Sequence, residues 1–366
     1  MTKHVVTTLG DICEFRYGKP LPADARRGGR VAVYGSNGVV GHHDEPMVVG
    51  PSIVIGRKGS FGEVHYAPTD SWPIDTTYFI DASATKADLK WLSYALQASR
   101  IKDLNKSAAV PGLNRNDAYR LPIVFPPLDE QRRIAAILDK ADALRAKRKR
   151  AIALLDSLTQ SIFLEMFGGL KGEDYERVEL QNVTRQITDG AHFTPSYVDE
   201  GVPFLRVTDI HGGPIDWLNV KRIPRSEHEE LLKRCRPELG DVLLSKNGTI
   251  GIPRVVDWTE EFSIFVSLAL LKPEKRLVTS NFLYSFLKSA LASQQLRQQS
   301  KTGTVTNLHL VDIRKLKLPL PPMTLQHEWD RRTQEWARIS GRQSNAHLRI
   351  ETLFSSLQHR AFSGQL

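Results

Sequence analysis

The sequence LPIVFPPLDEQ at residues 121–131 recurs in a looser form, LKLPLPPMTLQ, at residues 316–326. The two copies lie 195 residues apart (316 minus 121), and the same offset aligns Phe167 with Phe362 without a gap. A period this long indicates a duplicated domain, because solenoids repeat every 20 to 50 residues or so.

Earlier in each copy the offset becomes smaller. It is 189 between Gly59 and Gly248 and 171 between Leu9 and Leu180, so the second copy carries 24 extra residues (195 minus 171). Insertions belong in surface loops, where recognition residues sit on a shared scaffold. We therefore expect two domains with one scaffold and different loops.

Each copy contains a mixed region followed by a long helix. Short β-rich runs at 52–55 and 241–244 alternate with Gly and Pro turn signals, and helical patterns lie near 89–104 and 281–296. These patterns predict an α+β region in each copy. The proline pairs at 126–127 and 321–322 close it, since proline suits the first turn of a helix.

The long helices carry heptad seams, with spacings that alternate between three and four. In the first helix the predicted seam is Ile134, Ile137, Ala141, Leu144, Arg148, Ala151, Leu155, Leu158 and Ile162. In the second it is Trp329, Arg332, Trp336, Ile339, Gln343, Ala346, Ile350, Leu353 and Leu357. Polar residues inside a seam commonly set its register. We expect the helices to pack on each other, although a helical hairpin inside one core is the simpler alternative.

These patterns predict four segments: a domain at 1–125, a helix at 126–169, a domain at 170–320 and a helix at 321–366. If the helices run antiparallel, the domains lie at opposite ends of a rod on the order of 57 Å long, related by a pseudo-twofold. The rod would then act as a ruler between the domains.

Composition favours a nucleic acid as the partner. The 366 residues include 50 Lys and Arg against 41 Asp and Glu, a net charge of +9, and 41% are hydrophobic. A basic balance favours a polyanion, although a merely basic soluble protein explains it too. Cys13 and Cys235 are too few for a disulfide framework, and no apolar run suggests a signal peptide or membrane span. A cytoplasmic location is expected.

The join at 121–131, preceded by Gly112-Leu113-Asn114, resembles the specificity subunits of type I restriction-modification systems. The segments at 34–38 and 204–210 look like two common versions of the core of a recognition domain in that family. The second copy departs from the pattern at 323–325, where the acidic residue that usually precedes Gln326 is missing.

The resemblance implies two different target recognition domains separated by an antiparallel pair of helices. It also implies that the chain binds double-stranded DNA at a bipartite, asymmetric target. Two methyltransferase subunits and the restriction or motor subunits would be its partners. Those partners would use S-adenosylmethionine, ATP and Mg, while this chain would hold no cofactor.

Loops rich in Gly, basic and amide residues are the candidate DNA contacts, since glycine lets the backbone approach phosphates closely. The strongest are 56–62 and 245–251, at equivalent places in both copies, although plain hairpin turns or solvated loops would look similar. The candidates on these loops are Arg57, Lys58, Ser60, Lys246, Asn247 and Thr249, and those just before the helical joins are Arg115, Asn116, Lys301, Thr302 and Asn307. The resemblance implies further contacts at Tyr34, Ser36, Asn37, Arg206 and Thr208, and His192 is also a candidate. A basic run at 145–150 is either a solvated helix face or a surface for DNA or an acidic partner.

The sequence lacks the signatures of catalysis. It has no GxxxxGK[ST] loop, no amino-methyltransferase motif and no metal-ligand spacing of histidines. Asp75 with Asp88 and Lys90 loosely echoes a metal-dependent nuclease, but Asp88 reads better as the start of a helix. A nuclease that cuts DNA with magnesium alone and a homodimeric regulator that binds a palindrome remain as alternatives.

Overall fold

The computed structural model describes residues 5–104, 112–168, 175–211, 213–299, 308–363 and 365. The chain divides into two compact units, which we call unit 1 (Met1–Arg150 with Ser344–Leu366) and unit 2 (Ala151–Gln343). Each unit combines one mixed region with part of both long helices. The domain boundaries at 125, 169 and 320 stay predictions.

The described part of unit 1 alternates short strands with short helices. Its strands are β1 (Val5–Thr8), β2 (Arg16–Tyr17), β3 (Val31–Gly35), β4 (Gly38–His43), β5 (Ser52–Gly56), β6 (Val64–Ala67), β7 (Ser71–Pro73), β8 (Thr77–Asp81) and β9 (Pro122–Phe125). Its helices are α1 (Leu9–Ile12), α2 (Leu89–Ala98), α3 (Arg115–Tyr119) and the start of α4 (Leu128–Phe167), with 3-10 turns at Ala23–Ala25, Ala82–Ala84 and Arg100–Asp103.

The strands of unit 1 form a sheet of order β2-β8-β5-β6, a second of order β4-β3-β7 and a pair β1-β9. The pairing is antiparallel except between β3 and β7. Helix α2 begins where the Asp88 carboxylate accepts a hydrogen bond from the Trp91 backbone N–H at 2.9 Å. The interpretation of Asp88 as a helix start is thus confirmed.

The described part of unit 2 repeats this order. Its strands are β10 (Arg177–Glu179), β11 (Thr184–Asp189), β12 (Val202–Leu205), β13 (Lys221–Ile223), β14 (Val242–Ser245), β15 (Pro253–Val255), β16 (Ser263–Ile264), β17 (Leu268–Pro273) and β18 (Lys317–Pro319). Its helices are the end of α4, then α5 (Leu180–Val183), α6 (Val207–Ile210), α7 (Arg225–Leu232), α8 (Ser280–Lys288), α9 (Ala290–Gln299), α10 (Leu310–Arg314) and the start of α11 (Met323–Phe362).

The sheets of unit 2 have the orders β11-β17-β14-β15, β13-β12-β16 and β10-β18. Each corresponds strand for strand to a sheet of unit 1, and the parallel pair β12-β16 matches β3-β7. The predicted α+β class with a duplicated domain is confirmed.

Each mixed region is fixed to its long helix by one glutamine. The Gln131 Oε1 accepts from the Asp88 backbone N–H at 2.8 Å, and its Nε2 donates to the Pro126 carbonyl at 2.8 Å. In unit 2 the Gln326 amide makes the same two bonds, at 3.0 Å each, to the Thr279 N–H and the Pro321 carbonyl. Both side chains are buried. Each amide therefore supplies partners to backbone groups that burial would otherwise leave unsatisfied.

The heptad of the long helices is present, but in each helix three of the nine predicted seam positions are exposed. The predicted Ile137 and Ala346 are half-buried. The predicted Ile134, Ala141, Arg148, Leu155 and Ile162 are buried or half-buried, as are Trp329, Trp336, Gln343, Ile350 and Leu357. In contrast Leu144, Ala151, Leu158, Arg332, Ile339 and Leu353 are exposed. The inward positions are one residue later in both helices: Leu138, Arg145, Ile152, Thr159, Met166, Thr333, Ser340, His347, Phe354 and Ala361.

Arg145 explains the register in unit 1. Its guanidinium donates to both Glu351 carboxylate oxygens, at 2.9 and 2.6 Å, and to Asp142 at 2.9 Å. It also lies 4.1 Å from the centre of the Phe354 ring. An inward arginine is tolerated when its donors are satisfied, so the helix can leave Leu144 outside. These hydrogen bonds from Arg145 also hold the pKa of the Glu351 carboxyl below its ordinary value.

The two helices run antiparallel. In unit 2 the end of α4 meets the start of α11, where the rings of Phe163 and Phe167 lie 5.2 and 5.8 Å from that of Trp329. In unit 1 the earlier part of α4 meets the later part of α11 through Arg145 and Glu351. The predicted antiparallel pair is therefore confirmed.

Candidate nucleic-acid interface

In unit 1 a tight loop connects β5 to β6. The Gly62 N–H donates to the Gly56 carbonyl at 2.8 Å, which closes the loop. Gly59 and Gly62 have φ angles of +73° and +71°, in the left-handed region that favours glycine. Lys58 and Ser60 are exposed on this loop. The loop therefore presents one basic and one hydroxyl side chain on a backbone that needs glycine.

In unit 2 the loop between β14 and β15 has the same geometry. The Gly251 N–H donates to the Ser245 carbonyl at 2.9 Å, and Gly248 and Gly251 have φ angles of +75° and +85°. Thr249 is exposed and Asn247 half-buried. The alignment that predicted equivalent loops therefore agrees with the structure, whereas contact of either loop with DNA stays a prediction.

Each loop is hydrogen-bonded to the segment that precedes α3 in unit 1 or α10 in unit 2. The Leu113 N–H donates to the Arg57 carbonyl at 2.8 Å, and the Leu308 N–H donates to the Lys246 carbonyl at 2.8 Å. This bond places Arg115 and Asn116 near the loop of unit 1. The corresponding candidates Lys301, Thr302 and Asn307 lie outside the described residues.

A half-exposed tyrosine joins the basic candidates of unit 1. The guanidinium carbons of Arg57 and Arg115 lie 5.2 and 5.4 Å from the centre of the Tyr17 ring. Arg57 also donates to the Asp75 carbonyl at 2.9 Å. A guanidinium stacked on a ring keeps its charge and a fixed plane of donors, as phosphate and base-edge contacts require. Sequence reasoning missed Tyr17, because its place beside Arg57 depends on strand pairing.

The corresponding place in unit 2 holds a buried carboxylate. Asp189 accepts from Lys246 Nζ at 3.1 Å and from His192 Nε2 at 2.9 Å, and Arg234 Nη2 donates to it as well. Burial raises the pKa of Asp189, but the hydrogen bonds from His192 and Lys246 outweigh it, and the pKa lies below its ordinary value. The Lys246 side chain is buried in this pair. The carboxylate thus already neutralises the ammonium of the candidate Lys246, and contact of this side chain with DNA stays a prediction.

The end of β3 and the turn to β4 carry three candidates, of which only one is exposed. Tyr34 is buried in the sheet core, which raises the pKa of its hydroxyl, and the Ser36 Oγ donates inward to the Thr76 carbonyl at 2.7 Å. Asn37 is exposed. The Arg57 N–H donates to the same Thr76 carbonyl at 2.9 Å, so Asn37 lies close to the loop. Tyr34 and Ser36 are thus buried while Asn37 is exposed, and contact of these three residues with DNA stays a prediction.

Two candidates lie at the start of α6, Arg206 just before the helix and Thr208 within its first turn. The Arg206 guanidinium donates to Asp209 at 3.0 and 3.1 Å, and its backbone N–H donates to the same carboxylate at 2.8 Å. The half-buried Arg206 therefore already has a charged partner, while Thr208 is exposed.

Comparison with known proteins decides the family. A sequence profile described as "Type I restriction modification DNA specificity domain" matches residues 1–154 and again 187–330. The chain belongs to this family. The type I restriction enzyme EcoBI specificity subunit of Escherichia coli is 24% identical over 348 residues, covering 86% of this chain and 73% of the relative. A type I specificity subunit of Haemophilus influenzae is 22% identical over 326 residues, covering 84% and 80%.

Solved structures from type I restriction-modification systems share the fold. The S subunit from M. genitalium superposes with a TM-score of 0.58 at 16% identity, covering 99% of this chain and 96% of that one. A chain from a study of the assembly and conformational transition of the type I system gives 0.52 at 19% identity, covering 99% and 98%. At these identities the likeness concerns the fold.

The chain is thus a DNA-specificity component of a type I restriction-modification system. The prediction that it is a recognition subunit and not an enzyme is confirmed by its family. Within the described ranges no helix is long and apolar enough to span a bilayer. Across those same ranges no three His, Cys, Asp or Glu residues are grouped to hold a metal ion. The cytoplasmic location and the lack of a cofactor stay predictions.

Proposed function

We propose that the chain reads a bipartite, asymmetric DNA target, with one half-site bound by each unit. The observation that carries the proposal is the duplicated loop at 56–62 and 245–251, where one backbone geometry carries different side chains. A shared scaffold with different loops supports the reading of two unlike sequences. A symmetric homodimer would instead read a palindrome.

The contacts of each unit favour different chemistry at the two half-sites. In unit 1 the stacked Arg57 and Arg115, with exposed Lys58, Asn37 and Asn116, combine phosphate donors with amides able to read base edges. In unit 2 the side chains at the corresponding loop are mostly neutral or already paired. We therefore propose that unit 1 makes the more salt-sensitive contacts.

We also propose that the long helices dock two methyltransferase subunits. Large apolar side chains are exposed on α4 and α11 beside the seam, and exposed apolar stripes of this kind mark protein interfaces. They are Leu144, Leu348 and Leu353 in unit 1 and Leu154, Leu158 and Ile339 in unit 2. Restriction subunits would join the same complex, and S-adenosylmethionine, ATP and Mg would be used by these partners.

Selection from random DNA duplexes by the purified full chain tests the proposal. We expect a split motif with two unlike halves and an unread spacer. Replacement of residues 1–125 by another recognition domain should change one half and leave the other intact. A palindromic motif, or a swap that alters both halves, would refute the division into two readers.

A further inference from the structure

Tyr17 and Asp189 occupy the same place in the two units. Tyr17 ends β2 opposite Tyr78 in β8, and Asp189 ends β11 opposite Ala269 in β17. Because β8 corresponds to β17 and β2 to β11, the two residues are equivalent although their side chains differ.

The glycines that follow support this equivalence. A Cβ on Gly18 would lie 2.2 Å from the Ile74 carbonyl oxygen, and one on Gly190 would lie 1.8 Å from that of Ile264. Neither place can hold a side chain without a shift of backbone. The backbone that follows Tyr17 and Asp189 therefore lies very close to the backbone of the adjoining sheet.

Each of these residues contacts the second residue of the candidate DNA loop in its unit. Tyr17 stacks with Arg57, whereas Asp189 forms an ion pair with Lys246. The contact between the strand end and the loop is thus made by an aromatic ring and a guanidinium in unit 1. In unit 2 it is made by a carboxylate and an ammonium.

Asp189 also holds two exposed donors. The Asp189 and Lys246 side chains are only 4% and 7% exposed, while those of His192 and Arg234 are 56% and 54% exposed. Arg234 Nη2 and His192 Nε2 both bond the Asp189 Oδ1 and lie 3.1 Å from each other. Arg234 follows α7 and lies 45 residues from Asp189 in sequence.

A stabilising role alone does not account for this cluster. Taking opposite charges out of water costs about as much as their attraction returns, so apolar residues would stabilise such a core equally well. A carboxylate beneath two exposed donors does, however, fix their orientation before a ligand arrives.

We propose that Asp189 is a positioning residue for the second half-site, and that the DNA contacts it positions are Arg234 and His192. The inference rests on the proposed function. Lys246 anchors the loop to the same carboxylate from beneath. Arg234 supplies donors for phosphate or for the acceptors of a guanine edge.

The test compares full-length variants by selection from random duplexes and by binding of the selected duplex at several salt concentrations. Asp189→Asn removes the carboxylate charge and frees the cationic side chains of Lys246 and Arg234, so sequence-independent affinity for DNA should hold or rise. The slope of log K against log salt should steepen by up to about 0.9. The second half of the motif should be lost and the first retained. Mere loss of structure would lower both affinity and melting temperature.

Glu261→Gln is the matched control. Glu261 is an exposed carboxylate of the same unit, bonded to Arg225 at 2.7 Å, so the change in charge is the same. We expect this variant to keep both halves of the motif.

Arg234→Ala keeps the inference testable if Asp189→Asn does not fold. Because Arg234 is exposed, the melting temperature of this variant should equal that of the wild type. Its binding to the second half-site should weaken roughly 5- to 100-fold. A wild-type protein that selects no split motif refutes the proposed function itself. A wild type that selects one, together with an Arg234→Ala variant that still reads both halves, overturns only the positioning inference.

Discussion

The register of the long helices predicts opposite effects for two leucines of α4. Leu138 is fully buried in the core of unit 1, whereas Leu144 is 56% exposed, although the sequence pattern placed Leu144 and not Leu138 in the seam. We therefore expect Leu138→Ala to destabilise unit 1 and Leu144→Ala to leave its stability nearly unchanged.

The size of the difference follows from burial. Truncation of a fully buried leucine costs about 2 to 5 kcal/mol, and we take about 3 kcal/mol for Leu138. Unit 1 contains about 170 residues, for which 1 kcal/mol shifts Tm by about 2 to 4 °C. Leu138→Ala should thus lower the transition of unit 1 by about 6 to 12 °C. At exposed Leu144 the change should stay within about 0.5 kcal/mol, below about 2 °C.

Calorimetric thermal unfolding of the full chain measures the Tm of both variants. Capture of methyltransferase subunits by each variant gives the complementary reading, because Leu144→Ala removes part of the proposed docking surface and should weaken capture. Equal losses of Tm in the two variants would refute the register described here. A Leu144→Ala variant that captures its partner as well as the wild type does would instead count against the docking surface.

Three further changes test other contacts. Because Arg145 lowers the pKa of Glu351, their pair stabilises the fold above the ordinary carboxyl pKa and is lost as pH falls through the lowered value. Glu351→Gln should therefore reduce the drop in Tm between neutral pH and about pH 3; an unchanged drop would contradict this. Gly248→Ala places a side chain at φ +75°, which should cost about 1 kcal/mol and impair the second half-site alone in duplex selection. Arg57→Lys keeps the charge but loses the planar stacking on Tyr17, so the Kd for a duplex with the first half-site should rise about two- to five-fold in titrations, with no change expected for the second.

Much of the fold could be predicted because the chain contains two copies of one domain, which can be aligned with each other. The offset between Gln131 and Gln326 located two residues that make the same buried hydrogen bonds, and the offset between Gly59 and Gly248 located two loops of one geometry. A duplicated residue separated from its copy by a constant offset reports a shared structural requirement, whatever the surrounding sequence.

The seam and the side chains of the site were harder to predict. At Leu144 and Arg145 the sequence does not tell which of two adjacent residues faces the other helix. Only the partner Glu351 explains why it is the arginine. Likewise Lys246 reads as a free cation until strand pairing brings Asp189 beneath it. In both cases the partner of a buried charged side chain is distant in sequence, so the local pattern does not reveal it.

The buried glutamines at the two joins have a consequence for how such proteins diversify. Gln131 and Gln326 reach across to a main-chain N–H of the recognition region and to a carbonyl of the proline segment, and neither bond depends on a side chain of that region. A recognition region acquired from another chain by recombination would thus meet the helix through groups that every polypeptide carries. The ability to recognise a new DNA sequence could then be gained by exchange of a whole recognition region. The helix that receives the region would need no matching changes.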